Sequence, residues 1–220
     1  MENDGPGNFP QQHIFGTTMD DIIRTAYADV DDDGDIDVIS GEENSTLVLY
    51  KNNGDGTFKA ITVGPVVNDF GLSRGGAWGD YNNDGFLDLI VVNGGGQNNF
   101  LYANNGDGTF SQINTGDIVN QTSAFTVCSW LDVENDGDID LFVGRSGGAN
   151  SLYINNGDLT FDPVFSKRFD AKDFNFQEFE VMDVNKDGNL DIVLGGNFYR
   201  AKPVVGRYDA SFGLFLSEYL

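Results

Sequence analysis

Four short acidic stretches carry oxygen donors in one fixed order along the chain. They read Asp29-Val-Asp-Asp-Asp-Gly-Asp-Ile-Asp37, Asp80-Tyr-Asn-Asn-Asp-Gly-Phe-Leu-Asp88, Asp132-Val-Glu-Asn-Asp-Gly-Asp-Ile-Asp140 and Asp183-Val-Asn-Lys-Asp-Gly-Asn-Leu-Asp191, and their first residues lie 51 or 52 positions apart. Carboxylates or amides at positions 1, 3, 5 and 9, with a main-chain carbonyl from position 7, suit a hard cation. Ca2+ takes roughly six to eight oxygens at about 2.3–2.6 Å. The candidate ligands of the first stretch are Asp29, Asp31, Asp33 and Asp37 with the Asp35 carbonyl; those of the second are Asp80, Asn82, Asp84 and Asp88 with the Phe86 carbonyl. The third offers Asp132, Glu134, Asp136 and Asp140 with the Asp138 carbonyl, and the fourth Asp183, Asn185, Asp187 and Asp191 with the Asn189 carbonyl. Position 7 varies among Asp, Phe and Asn, as expected if only its main chain matters. Position 6 is always Gly (Gly34, Gly85, Gly137, Gly188), the residue a sharp turn favours. No stretch contains His or Cys, which disfavours zinc and copper. About four Ca2+ ions, one per repeat, are expected.

An EF-hand loop begins the same way but closes with a Glu at position 12 between two helices. Here position 12 is Ser40, Val91, Val143 and Leu194, and each stretch runs into a short aliphatic segment such as Leu87-Asp-Leu-Ile-Val-Val92. Such runs are strand signatures. The loops therefore join strand to strand.

A second motif keeps the same period: Asn52-Asn-Gly-Asp-Gly-Thr-Phe58, Asn104-Asn-Gly-Asp-Gly-Thr-Phe110 and Asn155-Asn-Gly-Asp-Leu-Thr-Phe161. Asn-Gly and Asp-Gly supply tight hairpins, and the Phe restarts an extended segment. Each repeat thus holds four strands, in the first one Thr25–Ala28, Ile36–Ser40, Thr46–Tyr50 and Phe58–Val63. Four strands in about fifty residues match a β-propeller blade, whose radial repetition protects sheet edges. The residues two before each first Asp (Tyr27, Trp78, Trp130, Val181) are expected to pack between blades. The fold class is all-β: a β-propeller of four-stranded blades with four visible repeats, read as a single domain over residues 1–220. The terminal segments are expected to share the last blade, with residues 9–15 supplying a strand that the fourth repeat, ending near Leu216, lacks.

The acidic loops and the Asn-Asn-Gly-Asp-Gly-Thr-Phe hairpins resemble FG-GAP or VCBS repeats, the type found in integrin α-chain propellers. The resemblance covers residues from about 3 to 216. It implies a calcium-loaded propeller that forms a four-bladed ring, half of a homodimeric ring or a piece of something larger.

The formal net charge is −23, and 17 of the 35 acidic residues sit in the four loops, so the chain stays acidic even with four divalent ions bound. That field opposes nucleic-acid binding, which needs basic patches. No apolar stretch is long enough to span a membrane. Cys128 is the only cysteine. Low-affinity calcium modules work where the ion is near millimolar, so an extracellular or cell-surface location is expected although no signal peptide precedes the motifs.

Catalysis has little support: His13 is the single histidine, Cys128 lies in an apolar strand, and no nucleophile–base pair stands out. A polysaccharide-acting enzyme remains an alternative through Arg24, Arg74 and Tyr208. The leading expectation is a non-enzymatic adhesion or recognition module that binds a protein or glycan through loops between blades. Candidate segments are Gly64–Arg74, Gly116–Ser123 and Lys167–Phe176, with Phe174 and Phe176 as stacking groups. The third expectation is an architectural unit that assembles with itself.

Overall fold

The computed structural model describes residues 22–42, 45–122, 125–145, 150–164, 175–184, 186, 188, 190–197, 204–209 and 214–219. Four antiparallel sheets follow one another along the chain. The first contains β1 (Ile22–Ala28), β2 (Asp37–Glu42), β3 (Ser45–Asn52) and β4 (Phe58–Ile61), in that order. A helical turn, α1 (Pro65–Asn68), and the two-residue β5 (Phe70–Gly71), which pairs with the start of β3, lead to the second. This second sheet contains β6 (Ser73–Gly79), β7 (Asp88–Asn93), β8 (Phe100–Asn104) and β9 (Phe110–Ile113). After α2 (Asp117–Asn120) come β10 (Phe125–Leu131), β11 (Asp140–Arg145), β12 (Ser151–Asn155) and β13 (Phe161–Val164), then β14 (Asn175–Met182), β15 (Asp191–Asn197), β16 (Val204–Asp209) and β17 (Leu214–Tyr219).

The first strands lie side by side: β1 against β6, β6 against β10, and β10 against β14. Each sheet is thereby sandwiched face to face with the next. The second strand of a middle blade is covered on both sides, which is why its sequence lacks polar alternation; all six residues of β7 are buried. Three apolar clusters fill the gaps. Val30, Ile39 and Leu49 of the first blade meet Leu89, Val91 and Phe110 of the second; Tyr81, Ile90 and Leu101 meet Leu141, Val143 and Tyr153 of the third; Val133, Phe142 and Leu152 meet Ile192 of the fourth. Each fully buried Leu or Ile here contributes about 1.5–3 kcal/mol. Every first strand carries a register shift at the same place, between Ile22 and Arg24, Ser73 and Gly75, Phe125 and Val127, and Phe176 and Glu178. A bulge repeated in this way adds local twist to each innermost strand.

Two expectations are corrected. The fourth sheet has four strands of its own, because Gly206-Arg-Tyr-Asp209 is part of β16 and pairs with β17 in register from Val204↔Tyr219 to Asp209↔Leu214. The fourth repeat lacks the Asn-Asn-Gly-Asp-Gly-Thr hairpin, so its third and fourth strands carry no turn signature. The sheet does not need a strand from the N-terminal segment, and residues 9–15 lie outside the described residues. Tyr27 is also not an inter-blade residue among the described residues. Trp78 and Trp130 each pack against the preceding blade and Val181 packs at the third–fourth interface, but Tyr27 is 65% exposed on a blade with no described sheet before it.

Candidate metal centre

Each acidic loop is shaped by its own carboxylates. The first aspartate accepts two main-chain N–H groups with its two oxygens. Asp29 binds the amides of Asp33 (3.1 Å) and Gly34 (2.9 Å), Asp80 those of Asp84 (3.0 Å) and Gly85 (2.9 Å), and Asp132 those of Asp136 (3.2 Å) and Gly137 (3.0 Å). In the fourth loop Asp183 accepts the Gly188 amide at 2.9 Å. The position-5 carboxylate accepts the position-7 amide: Asp33 from Asp35, Asp84 from Phe86 and Asp136 from Asp138, at 2.9–3.0 Å. Position 6 has φ between 91° and 96° in all four loops, which explains its glycine. Position 4 is left-handed as well (Asp32, Asn83, Asn135, Lys186), and three of these four are the Asp or Asn types that tolerate that region.

The ninth residue does more than its spacing suggests. Asp37, Asp88, Asp140 and Asp191 are all essentially buried. In the first three, one oxygen accepts the position-2 amide (Val30 3.1 Å, Tyr81 3.2 Å, Val133 2.8 Å). The other accepts the amide of the first hairpin Asn (Asn52 2.8 Å, Asn104 2.8 Å, Asn155 2.9 Å). Asp191 likewise accepts the Val184 amide at 2.9 Å. This aspartate fastens the acidic loop to the hairpin of its own blade.

Three carboxylates converge in the first loop: Asp29, Asp31 and Asp37 each place an oxygen within 4.8 Å of the other two. No second group of three acidic, His or Cys side chains converges in this way among the described residues. Asp33 stands beside this group, joined to it through Lys51, whose ammonium donates to Asp31 and lies 3.3 Å from Asp33. In the second loop Asn82 replaces Asp31 and is turned onto Asp84, donating to its Oδ2 and accepting its amide, both at 2.9 Å. Asp132, Asp136 and Asp140 of the third loop are held by the same main-chain bonds as their counterparts. Asn185, Asp187 and Asn189 lie outside the described residues.

The donor set fits a hard cation on two observations. The buried Asp31 Oδ1 has no hydrogen-bond partner. Asp88 and Asp140 have their carboxyls pushed up to about 7, first by burial and further by nearby Asp80 and Asp84 or Asp132 and Glu134, against the opposing pull of their main-chain donors. Asp37 is raised for the same leading reason. A buried carboxylate crowded by others is unfavourable without a counter-charge, and a divalent ion supplies it.

Position 7 is not indifferent to its side chain. Asp35, Phe86 and Asp138 each lie over the first hairpin glycine of their own blade; a Cβ on Gly54, Gly106 or Gly157 would fall about 2.5–2.6 Å from them. Acidic and aromatic residues both serve, since what they cover is a bare backbone. Asp138 also accepts a hydrogen bond from Asn83 of the preceding loop at 2.5 Å, linking adjacent loops. The hairpins themselves are structural. Asp55, Asp107 and Asp158 each accept the hydroxyl and amide of the Thr two residues on, which holds their carboxyls below the usual range.

Spacing gave no warning of the first hairpin asparagine's reach. Asn104 Nδ2 donates to its own blade at Leu87 O (3.1 Å) and across to Val30 O in the first blade's acidic loop (2.7 Å). Asn155 repeats this with Ile139 O (3.2 Å) and Tyr81 O (2.8 Å). The only signal was that this Asn recurs in all three hairpins.

Of the expected recognition segments, Gly64–Arg74 and Gly116–Ser123 contain α1 and α2. Val66, Ile118 and Val119 are buried, and Asp69 accepts hydrogen bonds from the Tyr102 hydroxyl (2.7 Å) and Gln112 (2.6 Å), so parts of both segments are blade packing. Beside α2 an open cleft of about 510 Å3 runs between the second and third blades, lined by Tyr81, Ile113, Asp117, Leu159, Thr160 and Phe161. Lys167–Phe174, His13 and the side chains of Arg24, Phe176 and Tyr208 lie outside the described residues. Arg74 lies over Gly94, and Cys128 is half-buried against the second–third interface.

Four sequential four-stranded antiparallel sheets stacked on their first strands define a β-propeller. The chain belongs to the FG-GAP-like repeat family, whose sequence profile matches residues 29–91, 80–143 and 132–194. It is 29% identical over 180 residues to cartilage acidic protein 1 of Xenopus tropicalis and 26% identical over 179 residues to the human protein of that name. Both alignments cover 76% of this chain, which spans 28% and 27% of those relatives. An Agrocybe aegerita lectin described as specific for non-reducing terminal N-acetylglucosamine superposes with a TM-score of 0.56 at 25% identity, covering 88% of this chain and 50% of the lectin. An ancestral GH74 enzyme superposes with a TM-score of 0.55 at 11% identity, covering 90% of this chain and 27% of the enzyme, a likeness of fold alone. No helix among the described residues is long and apolar enough to cross a membrane.

Proposed function

We propose that this chain is a non-enzymatic, calcium-stabilised recognition module that works outside the cell and binds a glycan or a protein at the loops between its blades. Calcium would be held by the side chains of positions 1, 3, 5 and 9 and the carbonyl of position 7 in each loop, and it would supply the positive charge that the crowded carboxylates lack. The chain's own residues do the rest. Asp29, Asp80 and Asp132 curl the loops, and Asp37, Asp88 and Asp140 fasten them to the hairpins. Each inter-blade gap is thus set by groups whose position depends on the loop beside it. The whole of residues 1–220 is read as one domain that forms a four-bladed ring, half of a homodimeric ring or a piece of something larger.

The cleft between the second and third blades carries the recognition reading. Its lining combines apolar groups (Ile113, Leu159, Phe161) with polar ones (Asp117, Thr160), a mixture suited to the apolar face and hydroxyls of a sugar ring. Leu159 stands 62% exposed at positive φ, where the other two hairpins have Gly. The likeness to the N-acetylglucosamine-specific lectin supports a glycan ligand, and the acidic cartilage relatives support a role outside the cell. The test is a glycan array probed in calcium and in chelator, including glycans ending in N-acetylglucosamine. Calcium-dependent binding that Asp117→Ala and Leu159→Gly both weaken is expected. Binding that ignores both substitutions would move the ligand elsewhere, and no binding to any glycan would favour a protein ligand.

A further inference from the structure

The first loop differs from the others in one group. Lys51, on β3, directs its ammonium into the loop, donating to Asp31 Oδ2 and standing 3.3 Å from Asp33 Oδ2. The equivalent residues are Ala103 on β8 and Ile154 on β12, each one position before the hairpin asparagines, so the second and third loops have no cation at that place. The first loop is also the most acidic, with Asp at positions 1, 3, 4, 5, 7 and 9. We propose that Lys51 is a resident counter-ion of the first loop, which holds Asp31 and Asp33 when calcium is scarce and must swing out before those carboxylates can take the ion.

The inference rests on the calcium reading above. Asp31 and Asp33 are the position-3 and position-5 donors; the ammonium occupies Oδ2 of Asp31, and a divalent ion taken up at the unpartnered Oδ1 of the same carboxylate would be repelled by it. A lysine suits the exchange, being a compact charge on a flexible four-carbon stem. About a third of its side chain is already exposed, so its route into solvent is open. The ion pair neutralises part of the loop's repulsion in the metal-free protein, and calcium must displace it. The first site is therefore weaker than its six acidic groups alone would make it, while its loop stays formed at low calcium.

The experiment follows the Gly34, Gly85 and Gly137 amide resonances of the full chain, labelled at glycine, during a calcium titration. Gly34 and its equivalents each donate to the first aspartate of one loop, so each reports its own site. In Lys51→Met the Gly34 midpoint should fall at least tenfold in calcium concentration, with Gly85 and Gly137 unmoved, while Lys51→Arg stays near wild type. Thermal unfolding gives a second readout. Lys51→Met should unfold at a lower temperature than wild type in chelator, and at an equal or higher one in saturating calcium. A merely structural lysine would lower it in both. Responsive Gly85 and Gly137 with an unchanged Gly34 midpoint in Lys51→Met would overturn this proposal alone. Three unresponsive glycines would overturn the calcium reading and this proposal with it.

Discussion

Asp140→Ala separates the structural and metal-binding duties of the acidic loops. Asp140 is buried, and its two oxygens accept the Val133 amide at 2.8 Å and the Asn155 amide at 2.9 Å. Truncation leaves two buried main-chain donors without partners, each costing about 1–3 kcal/mol. The combined loss is on the order of 2–6 kcal/mol, which at about 2–4 °C per kcal/mol for a protein of this size lowers Tm by about 4–24 °C. Asp136→Ala is the control, because that residue is exposed and accepts only the Asp138 amide within its loop. Its cost in chelator should stay under about 1 kcal/mol, but it should forfeit calcium stabilisation, which amounts to about 2.7 kcal/mol for one site at a hundredfold excess over Kd. Both variants are to be melted at about pH 8, above the raised value of Asp140, where its ionised carboxylate offers both oxygens to the main-chain donors. Asp140→Ala must then be the more damaging in chelator, and calcium must widen both losses. If Asp140→Ala melts like wild type in chelator, the carboxylate does not fasten the loop to the hairpin and the reasoning fails.

Metal-free protein should lose stability as pH rises from about 4 to about 7. Folded Asp88 and Asp140 keep protons that the unfolded chain, titrating near 3.9, has already released, which gives up to about 1.4 kcal/mol per pH unit for each group. Saturating calcium should flatten that slope by favouring the ionised form; chelator melts across this range that rise with pH would contradict the assignment. Asn155→Ala removes donors to Tyr81 O and Ile139 O and should cost about 2–3 kcal/mol, with hydrogen exchange faster in both the second and third blades. Protection lost in the third blade only would show that the inter-blade bond does not couple them. Gly106→Ala places a methyl about 2.5 Å from the Phe86 ring at φ 74° and should destabilise by more than about 1 kcal/mol, with partial rescue by Phe86→Ala in urea unfolding.

The strand–loop–strand order and the three hairpins were legible because both depend on residues with local geometric duties: Gly at position 6, Asn-Gly at the turn, Asp at position 1. The first-repeat strands fall where they were read, with β1 extending three residues earlier and β4 stopping at Ile61. What escaped were relations between repeats. Asn104 and Asn155 look like turn residues, and nothing in their spacing tells that the amide also reaches Val30 or Tyr81 seventy-four residues earlier. Tyr27 shares its position with Trp78 and Trp130, but such a position is covered by the blade before it, and no sheet before β1 is among the described residues. β16 went unread and the strand ending near Leu216 was counted as the third rather than the fourth, because their hairpin lacks the motif, although Val204–Tyr208 has the apolar content of a strand. The Lys51 ion pair was invisible for a related reason: a lysine twenty residues from its partner carries no pattern.

The asparagine that crosses from one blade's hairpin to the carbonyl of the blade before gives the stack a direction. The second unit donates backwards through this residue and offers its own position-2 carbonyl forwards, so the same bond joins the first unit to the second and the second to the third, while the fourth repeat, lacking the hairpin, has no such asparagine to extend it. A unit copied between such joints keeps this bond on both of its sides. Gene duplication could thus lengthen or shorten the array one blade at a time without a compensating substitution, and a recombined protein assembled from blades of different parents would retain the joint wherever the hairpin asparagine is kept.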